Sequence, residues 1–305
     1  MNKNKLLVIT GATATGKTRL AALVADRLDG EIISADSRQV YKGMDIGTGK
    51  DYEDYQVNGK QIPFHLVDIV EAGYEYNVYE FQKDFIKTYL EINEEGRLPI
   101  LCGGTGMYIE SVLAGYRLAE TPVNEEFRFF LKDKSTDEIS EMLKKVKPLH
   151  NTTDLIERER IIRALEIYNY EQTKQNYLDF TEINFTIFAI HFEREVIRNR
   201  ITERLQKRLE NGMIDEIANL LKSGLTPEQL KFYGLEYRFI TMYLNNEITY
   251  YEMFRLLNIA IHQFAKRQMT WFRRMEKKGF EINWIDGNLS DSDKLQYVIT
   301  HFKAE

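Results

Sequence analysis

The chain has 305 residues, of which 43% are hydrophobic, 12% aromatic and 29% charged, a composition typical of globular proteins and unlike disordered or low-complexity chains. The formal net charge of −6 excludes a protein that is basic overall, although it allows a local basic surface. The single cysteine, Cys102, allows neither a disulfide framework nor a cysteine zinc site. No apolar stretch approaches the ~20 residues of a bilayer span. We therefore expect a soluble, cytoplasmic protein with no membrane association.

The N-terminal third of the chain alternates between two kinds of hydrophobic pattern. Short apolar runs at 5–10, 31–35 and 98–102 predict buried parallel strands. Amphipathic periodicity over 17–28 and 78–94 predicts the helices that connect them. This strand–helix–strand order predicts an α/β fold, with a parallel sheet flanked by helices and right-handed crossovers.

The pattern becomes helical after about Leu118. Residues 120–179 are rich in Glu, Lys, Arg and Leu with helical spacing, and the next strand is predicted only at 185–190. Further helices are predicted over 193–274 and a last strand over 281–285. The domains predicted on this basis are a catalytic core with C-terminal helices, residues 1–117 and 183–305, and an inserted, mainly helical subdomain, residues 118–182.

A phosphate-binding motif follows the first predicted strand. The segment GATATGKT satisfies G-x-x-x-x-G-K-[ST] and lies between a strand and an amphipathic helix, as this motif requires. Its backbone N–H groups and the N-terminus of the helix suit phosphate oxygens, while the lysine reaches a terminal phosphate and the threonine ligates Mg²⁺. The motif predicts a P-loop NTPase-like core that binds a di- or triphosphate, and it does not establish ATP hydrolysis. Its residues are Gly11, Ala12, Thr13, Ala14, Thr15, Gly16, Lys17 and Thr18.

Asp36 comes directly after the second predicted strand, at the sheet edge where ligands of open α/β sheets bind. Three interpretations of this carboxylate are open at this point. It holds Mg²⁺, it acts as a general base towards an acceptor, or it caps the following turn.

Several longer segments resemble one family in order and spacing. They are GATATGKT at 11–18, DSRQVYKGMDIGT at 36–48, FHLVDIV at 64–70, LCGGTGMYI at 101–109, RIIRALEI at 160–167, RITER at 200–204 and FAKRQMTWFR at 264–273. The phosphate loop alone is shared by many NTPases, but the second and fourth segments together are highly specific. From residue 6 to about 286 the chain is similar to tRNA dimethylallyltransferases, also called tRNA isopentenyltransferases, and lacks the cysteine-containing extension of some eukaryotic relatives.

The resemblance implies a reaction and roles for individual residues. It implies transfer of a dimethylallyl group from dimethylallyl diphosphate to N6 of adenosine 37, 3′ of the anticodon in tRNA, which gives N6-isopentenyladenosine. By position, Asp36 is the general base and Thr105 contacts the adenine or the reacting centre. Lys17 and Arg204 bind the diphosphate, and Mg²⁺ is the cofactor, with Thr18 as its ligand. The implied partners are the tRNA anticodon stem-loop and the prenyl diphosphate, and we expect a monomer.

The resemblance also assigns tRNA binding, with the anticodon arm gripped by the insertion. The residues are Asp36, Ser37, Arg38, Gln39, Thr105, Arg128, Glu159, Arg160, Ile161, Ile162, Arg163, Lys231, Phe232, Tyr233 and Gly234. Two basic stretches favour local phosphate contacts. Residues 192–208 have six basic and three acidic side chains, a net of +3, and residues 262–278 have six basic and one acidic, a net of +5.

The chain departs from the family pattern at four places. Ala12 and Asp51 stand where the family usually has proline, and Glu236 and His262 stand where it usually has arginine. The last two changes bear on RNA affinity and leave the predicted catalytic residues untouched.

Three alternative functions remain open from the sequence. One is an isopentenyltransferase acting on free adenine nucleotides, although such a small acceptor needs neither the helical insertion nor the basic stretches. The second is a P-loop kinase for a small molecule, which would require ATP turnover. The third is a non-catalytic RNA-binding protein that retains the loop as scaffold.

Overall fold

The computed structural model describes residues 5–146, 158–173 and 183–304. The chain forms two compact units, one of Met1–Gly115 with Thr181–Glu305 and the other of Tyr116–Phe180. Part of the predicted insertion, 147–157 and 174–182, lies outside the described residues.

The core of the first unit is a parallel sheet of six strands in the order β5-β2-β6-β1-β7-β8. The strands are β1 (Lys5–Gly11), β2 (Gly30–Ser34), β5 (Phe64–His65), β6 (Leu98–Gly103), β7 (Asn184–His191) and β8 (Ile282–Asp286), and a separate hairpin pairs β3 (Gln56–Val57) with β4 (Lys60–Gln61). The central strands are almost wholly buried, which explains their continuous apolar runs. The predicted fold class, a parallel sheet flanked by helices, is confirmed.

Helices cover the sheet. In the first unit they are α1 (Lys17–Leu28), α2 (Val78–Glu94), α3 (Gly106–Leu113), α7 (Arg194–Glu210), α8 (Met213–Lys222), α9 (Pro227–Phe232), α10 (Leu235–Leu244), α11 (Tyr250–Lys277) and α12 (Asp291–Ala304). Capping boxes at Asn77, Thr226 and Thr249 satisfy the first amides of α2, α9 and α11, and so set where these helices begin. None of the helices in the described ranges is both long and apolar enough to cross a bilayer.

The second unit contains α4 (Glu125–Leu131), α5 (Thr136–Val146) and α6 (Arg158–Thr173). Their apolar side chains form a core of their own, with Leu131, Ile139, Leu143, Ile161, Ile162 and Leu165 all buried. The helical pattern in this part of the sequence therefore reflects a small, separately packed unit.

Several elements were not predicted from the sequence, among them β5, α12, α3 and the hairpin strands β3 and β4. The edge strand β5 has only two residues, too few for a recognisable alternation of polar and apolar side chains. Helix α12 lies beyond the last predicted strand and covers part of the sheet core with Val298 and Phe302.

Candidate active site

The phosphate loop joins β1 to α1 and curves closely over the end of the sheet. Gly11 has a φ of 151°, and a Cβ there would lie 2.9 Å from the carbonyl oxygen of Ile190 on β7. Glycine is the residue that fits both constraints. The Thr15 hydroxyl donates to the Ala12 carbonyl at 2.8 Å, which holds the curve. A curved loop of this kind, followed by a helix N-terminus, is the arrangement that binds phosphate.

Lys17 and Thr18 form the first turn of α1. Burial lowers the pKa of the Lys17 amine, and the negative charge of Asp36 opposes this shift. The Thr18 side chain lies near the thiol of Cys102, close to the end of β6. Burial raises the pKa of Cys102 to about 12, so its sulfur is a neutral thiol at physiological pH. The loop thus lies against a buried, unreactive side chain.

An open cleft of about 490 Å³ lies beside the phosphate loop. Its charged lining is mainly basic, with six cationic side chains against four carboxylates. The cationic residues are Lys17, Arg19, Arg200, Arg204, Lys207 and Lys294. A cleft with this charge and this loop on one wall suits a compact polyphosphate anion.

Asp36 lies two residues beyond the end of β2 and is half-buried. Its Oδ1 accepts a hydrogen bond from the Arg38 backbone N–H at 3.0 Å, so the turn-capping interpretation is correct for this oxygen. Within the described part of the chain, Oδ2 has no hydrogen-bond partner. One oxygen therefore fixes the carboxylate, while the other remains free to meet a ligand.

Thr105 lies beside Asp36 because the ends of β2 and β6 are joined by hydrogen bonds. The Thr105 N–H donates to the Ala35 carbonyl at 3.2 Å, and the Ser37 N–H donates to the Thr105 hydroxyl at 3.0 Å. Thr105 is also the residue that precedes α3. The structure thus brings Asp36 and Ser37 together with Thr105, although Asp36 and Thr105 are 69 positions apart in the sequence.

Gln268 on α11 connects the two loops and was missed by the sequence reasoning. Its Oε1 accepts from the Thr13 N–H of the phosphate loop at 2.9 Å, and its Nε2 donates to the Gly104 carbonyl at 2.9 Å. The side chain is buried. Its position inside the FAKRQMTWFR segment was the only available signal, and that segment does not say which residue turns inwards.

Arg204 on α7 reaches the edge of the phosphate loop. Its Nη1 lies 3.3 Å from the Thr13 hydroxyl, and its Nη2 donates to Asp51 at 2.7 Å. Arg208, one turn further along α7, donates to the same carboxylate at 3.2 Å. Burial raises the pKa of Asp51, but the positive charges of Arg204 and Arg208 lower it by a larger amount. The pKa of Asp51 therefore lies below its usual value. The sequence predicted Arg204 at the diphosphate and did not predict its anionic partner.

The structure brings two predicted tRNA-binding segments together. The Arg38 guanidinium lies over the Phe232 ring, 5.5 Å from its centroid, and the ring is half exposed. Tyr233 is buried, with its ring against Tyr41 at a centroid distance of 4.6 Å, so it supports this surface from beneath. The remaining members flank the pair: Gln39 donates to the Gly49 carbonyl at 3.0 Å, Lys231 pairs with Glu247 at 3.0 Å, and Gly234 precedes α10.

In the second unit the predicted RNA-binding residues have different roles. Ile161 and Ile162 are core residues, so their assignment to RNA contact is corrected to packing. Arg128 and Arg163 both bind the buried carboxylate of Glu166, at 2.8 Å and 3.0 Å. Their guanidinium groups remain about one third exposed. Glu159 and Arg160 are exposed on α6.

Of the four departures from the family pattern, the two that replace arginine lie at different distances from the phosphate loop. Glu236 lines a small cavity together with Thr13, Arg204 and Arg208, and burial raises the pKa of its carboxyl. His262 lies on α11 and contacts the Arg198 carbonyl at 3.2 Å, and burial lowers its pKa. Glu236 thus belongs to the surroundings of the phosphate loop, whereas His262 belongs to the packing of α11 on α7.

Comparisons with known proteins agree with this arrangement. Residues 39–275 match the family model described as IPP transferase, and residues 4–62 match that described as isopentenyl transferase. The tRNA dimethylallyltransferase 1 of Parabacteroides distasonis is 53% identical over 296 residues, with 97% of this chain and 96% of the relative covered. The tRNA dimethylallyltransferase 2 of Phocaeicola vulgatus is 52% identical over 300 residues, with 98% of each covered.

A solved structure gives the same result. The full-length tRNA isopentenylpyrophosphate transferase of Bacillus halodurans superimposes with a TM-score of 0.73 at 31% identity, and the match covers 99% of this chain and 96% of that one. The resemblance found in the sequence motifs and the P-loop NTPase-like fold are confirmed by these matches. The chain therefore belongs to the IPP transferase family, that of the tRNA dimethylallyltransferases, and is an enzyme of this type.

Proposed function

We propose that the chain transfers a dimethylallyl group from dimethylallyl diphosphate to N6 of adenosine 37, the nucleoside 3′ of the anticodon in tRNA. The proposal depends chiefly on one observation: the phosphate loop follows β1 and Asp36 follows β2, and these strands are second neighbours in the sheet. Strands are spaced about 4.8 Å apart, so the two groups are separated by roughly 10 Å. That separation suits a diphosphate at the loop, an adenine amine at the carboxylate, and the reacting carbon between them.

The chemistry assigns one task to each side. The bond between C1 of the dimethylallyl group and the diphosphate oxygen breaks, a bond from C1 to N6 forms, and the diphosphate leaves with the electron pair. N6 must lose a proton, and Asp36 Oδ2 accepts it, a general-base role worth typically 10²–10⁴-fold in rate. Thr105 holds the Ser37 backbone, and with it the Asp36 turn, in place. Lys17 and Arg204 bind the negative charge that develops on the diphosphate.

We also propose that Mg²⁺ accompanies the diphosphate. Magnesium usually takes one or two protein oxygens together with phosphate oxygens and waters. In the described ranges no three His, Cys, Asp or Glu side chains are grouped so as to hold a metal, which favours an ion carried mainly by the diphosphate. Thr18 in the first turn of α1 has the hydroxyl that fits as its protein ligand. When bound, the ion neutralises charge on the leaving group.

We propose that the anticodon stem-loop is the part of tRNA that binds, and surface features of the first unit support this. Arg38 comes two residues after Asp36 in the chain and forms a cation–π pair with Phe232. The Phe232 ring is half exposed and can stack on an unpaired base. On α11 five cationic side chains are exposed and can contact phosphates: Arg255, Lys266, Arg267, Arg273 and Lys277. In the second unit the exposed parts of Arg128 and Arg163 are among the cationic groups that would contact RNA.

The decisive experiment offers the full chain labelled dimethylallyl diphosphate with three acceptors in parallel. They are an anticodon stem-loop with adenosine at position 37, the same RNA with guanosine there, and AMP. We expect label only in the first RNA, with N6-isopentenyladenosine identified by mass spectrometry of its nucleosides. Transfer to AMP at a comparable rate would favour a free-nucleotide transferase, and phosphorylation of an acceptor from ATP would favour a kinase; either result would overturn the proposal.

A monomer in the cytoplasm is the setting that we propose. The phosphate loop, Asp36, Thr105, Arg204 and Gln268 all belong to the first unit of one chain, so a second copy is not needed to complete the site. Mature tRNA is a cytoplasmic substrate, and the comparison of sedimentation mass with the 35.9 kDa chain mass tests the oligomeric state.

A further inference from the structure

The loop between Tyr41 and Tyr52 places Asp51 in the lining of the open cleft beside the phosphate loop, and several contacts hold this loop in position. The Glu216 carboxylate accepts hydrogen bonds from three successive backbone N–H groups, those of residues 45, 46 and 47, at 3.0, 2.7 and 3.1 Å. The buried Lys50 ammonium donates to the Tyr41 carbonyl at 2.6 Å and also contacts two aspartates. Lys50, the residue before Asp51, is therefore held by its own side chain, and the backbone that leads to it is held by Glu216.

The two arginines of α7 pack directly against this loop. Gly49 has a φ of 73°, and a Cβ there would lie only 2.1 Å from Arg208 Nη2 and 2.8 Å from Arg204 Nη2. The absent side chain is what admits both guanidinium groups. Asp51 then binds both of them, at 2.7 Å and 3.2 Å. Its carboxylate does not cap the short 3₁₀-helix that follows, so the arginines are its whole set of side-chain partners in the described residues.

The Asp51 carboxylate contacts an arginine that also reaches the phosphate loop. Asp51 lines the same cleft as Lys17, and Arg204 extends one nitrogen to Asp51 and the other to Thr13 of the phosphate loop. A carboxylate and a phosphate group present similar pairs of oxygens to a guanidinium fork. An anion seated at the loop therefore competes with Asp51 for the second nitrogen of Arg204.

We infer that Asp51 is an affinity-determining residue of the donor site, whose carboxylate competes with the diphosphate for Arg204 and Arg208 and so weakens retention of the pyrophosphate product. The inference rests on the proposed function for the identity of this product. Without the carboxylate, Arg204 would face the cleft and Arg208 would lie beside it, neither with an ion-pair partner among the described residues. Pyrophosphate would then supply the missing charge and bind more tightly. The negative charge of Asp51 thus favours release of the leaving group after each transfer.

The test compares Asp51→Asn with Asp54→Asn in the full chain. Asp54 lines the same cleft, and none of the described arginines forms an ion pair with it, so its substitution removes equal charge without freeing Arg204. Binding of inorganic pyrophosphate is measured by calorimetry with Mg²⁺ in excess, and turnover is not required. We expect Asp51→Asn to tighten binding roughly fivefold, the upper range for a partly exposed ion pair, and Asp54→Asn to change it less than about twofold. Asp51→Ala should behave like Asp51→Asn, and unfolding temperatures check that all variants fold.

Three outcomes are distinguishable. Weaker pyrophosphate binding by Asp51→Asn would overturn the inference, because Asp51 would then orient the arginines for the anion. Equal tightening by Asp51→Asn and Asp54→Asn would also overturn it, because general charge would explain the result. If pyrophosphate binding responds as expected while the wild-type chain transfers no prenyl group to RNA, the proposed function fails and the competition for Arg204 stands.

Discussion

At the scale of single residues, Asp36 carries the most specific expectation. One of its oxygens is held by the Arg38 N–H at 3.0 Å, and this bond does not depend on a negative charge. Asp36→Asn keeps an oxygen for this bond and cannot accept a proton from the adenine amine. We expect kcat to fall by about 10²–10⁴-fold, with RNA affinity nearly unchanged. Single-turnover transfer and filter binding with the stem-loop measure the two quantities.

Asn is nearly isosteric with Asp, so the variant should unfold at the same temperature as the wild type. Turnover within a few-fold of the wild-type rate would mean that Asp36 is not the base. Loss of RNA binding together with activity would instead assign it to positioning of the acceptor.

Lys17 gives a pH-dependent expectation. Burial lowers the pKa of its amine below the ordinary 10.5, so its charge is lost at a lower pH than in an exposed lysine. Below this pKa the ammonium attracts the diphosphate, and as the pH rises through it the attraction disappears. We therefore expect KM for the donor to rise on the alkaline side, at pH values below the ordinary lysine pKa.

Lys17→Arg is the matched control, because a guanidinium stays charged throughout this range. Its donor KM should be raised at all pH values by the altered geometry and should not respond further to alkaline pH. An alkaline rise of equal size in both proteins would assign the titration to another group.

The sequence singled out candidate functional residues where a local motif defines their position. Lys17, Thr18 and Asp36 could be assigned because a strand end and a loop pattern define their positions along the chain. The contact of Asp51 with Arg204 joins residues 153 positions apart, and nothing in either local pattern specifies it. Ile161 and Ile162 were assigned to RNA by position alone, whereas their apolar spacing with Leu165 already indicates a buried helix face.

At the scale of elements, α11 ties the donor loop to the acceptor loop through Gln268. Replacement by the similarly shaped Met removes the acceptor for the Thr13 N–H and the donor for the Gly104 carbonyl. Leaving such a group unsatisfied costs about 1–3 kcal/mol, and two groups are affected, so we expect the free energy of unfolding to decrease by about 2–6 kcal/mol. Because both loops loosen, donor KM should rise and kcat should fall together, by about tenfold in kcat/KM.

Gln263→Met on the exposed side of the same helix is the control, since it makes the same chemical change away from the loops. It should leave unfolding and both kinetic constants within error of the wild type. Loss of stability in Gln268→Met with unchanged kinetics would restrict Gln268 to packing.

Elements differed in how well their sequences specified them. The central strands were predictable because burial on both faces demands unbroken apolar runs, as in Leu6–Ile9 of β1. The two-residue β5 has no such run, because pairing with the backbone of β2 is all that defines it. Such pairing depends on tertiary position, which a local window of sequence does not contain.

At the scale of the whole molecule, an acidic protein must bind a polyanion through local surfaces. The net charge is −6, yet α11 exposes Lys266 and Arg273, which lie about two helical turns apart. We expect stem-loop affinity to fall steeply with salt because phosphate contacts release counterions. Lys266→Ala and Arg273→Ala should each reduce the slope of log K against log salt by about 1.

Lys60→Ala, on the exposed β3–β4 hairpin, removes a cation elsewhere on the molecule and serves as the control. Its salt slope should equal that of the wild type. A slope that none of the substitutions changes would exclude this side of α11 from the RNA interface.

The thiol of Cys102 can serve as an intrinsic chemical probe of how often the phosphate loop opens. It is the chain's one sulfhydryl, it lies under the phosphate loop in contact with Thr18, and its high pKa keeps it protonated. Alkylating reagents attack thiolates and need access, so this sulfur should resist modification as long as the loop stays closed over it. The rate of its labelling therefore reports how often the donor pocket opens, with no dye or engineered cysteine, and a bound prenyl diphosphate should slow that rate.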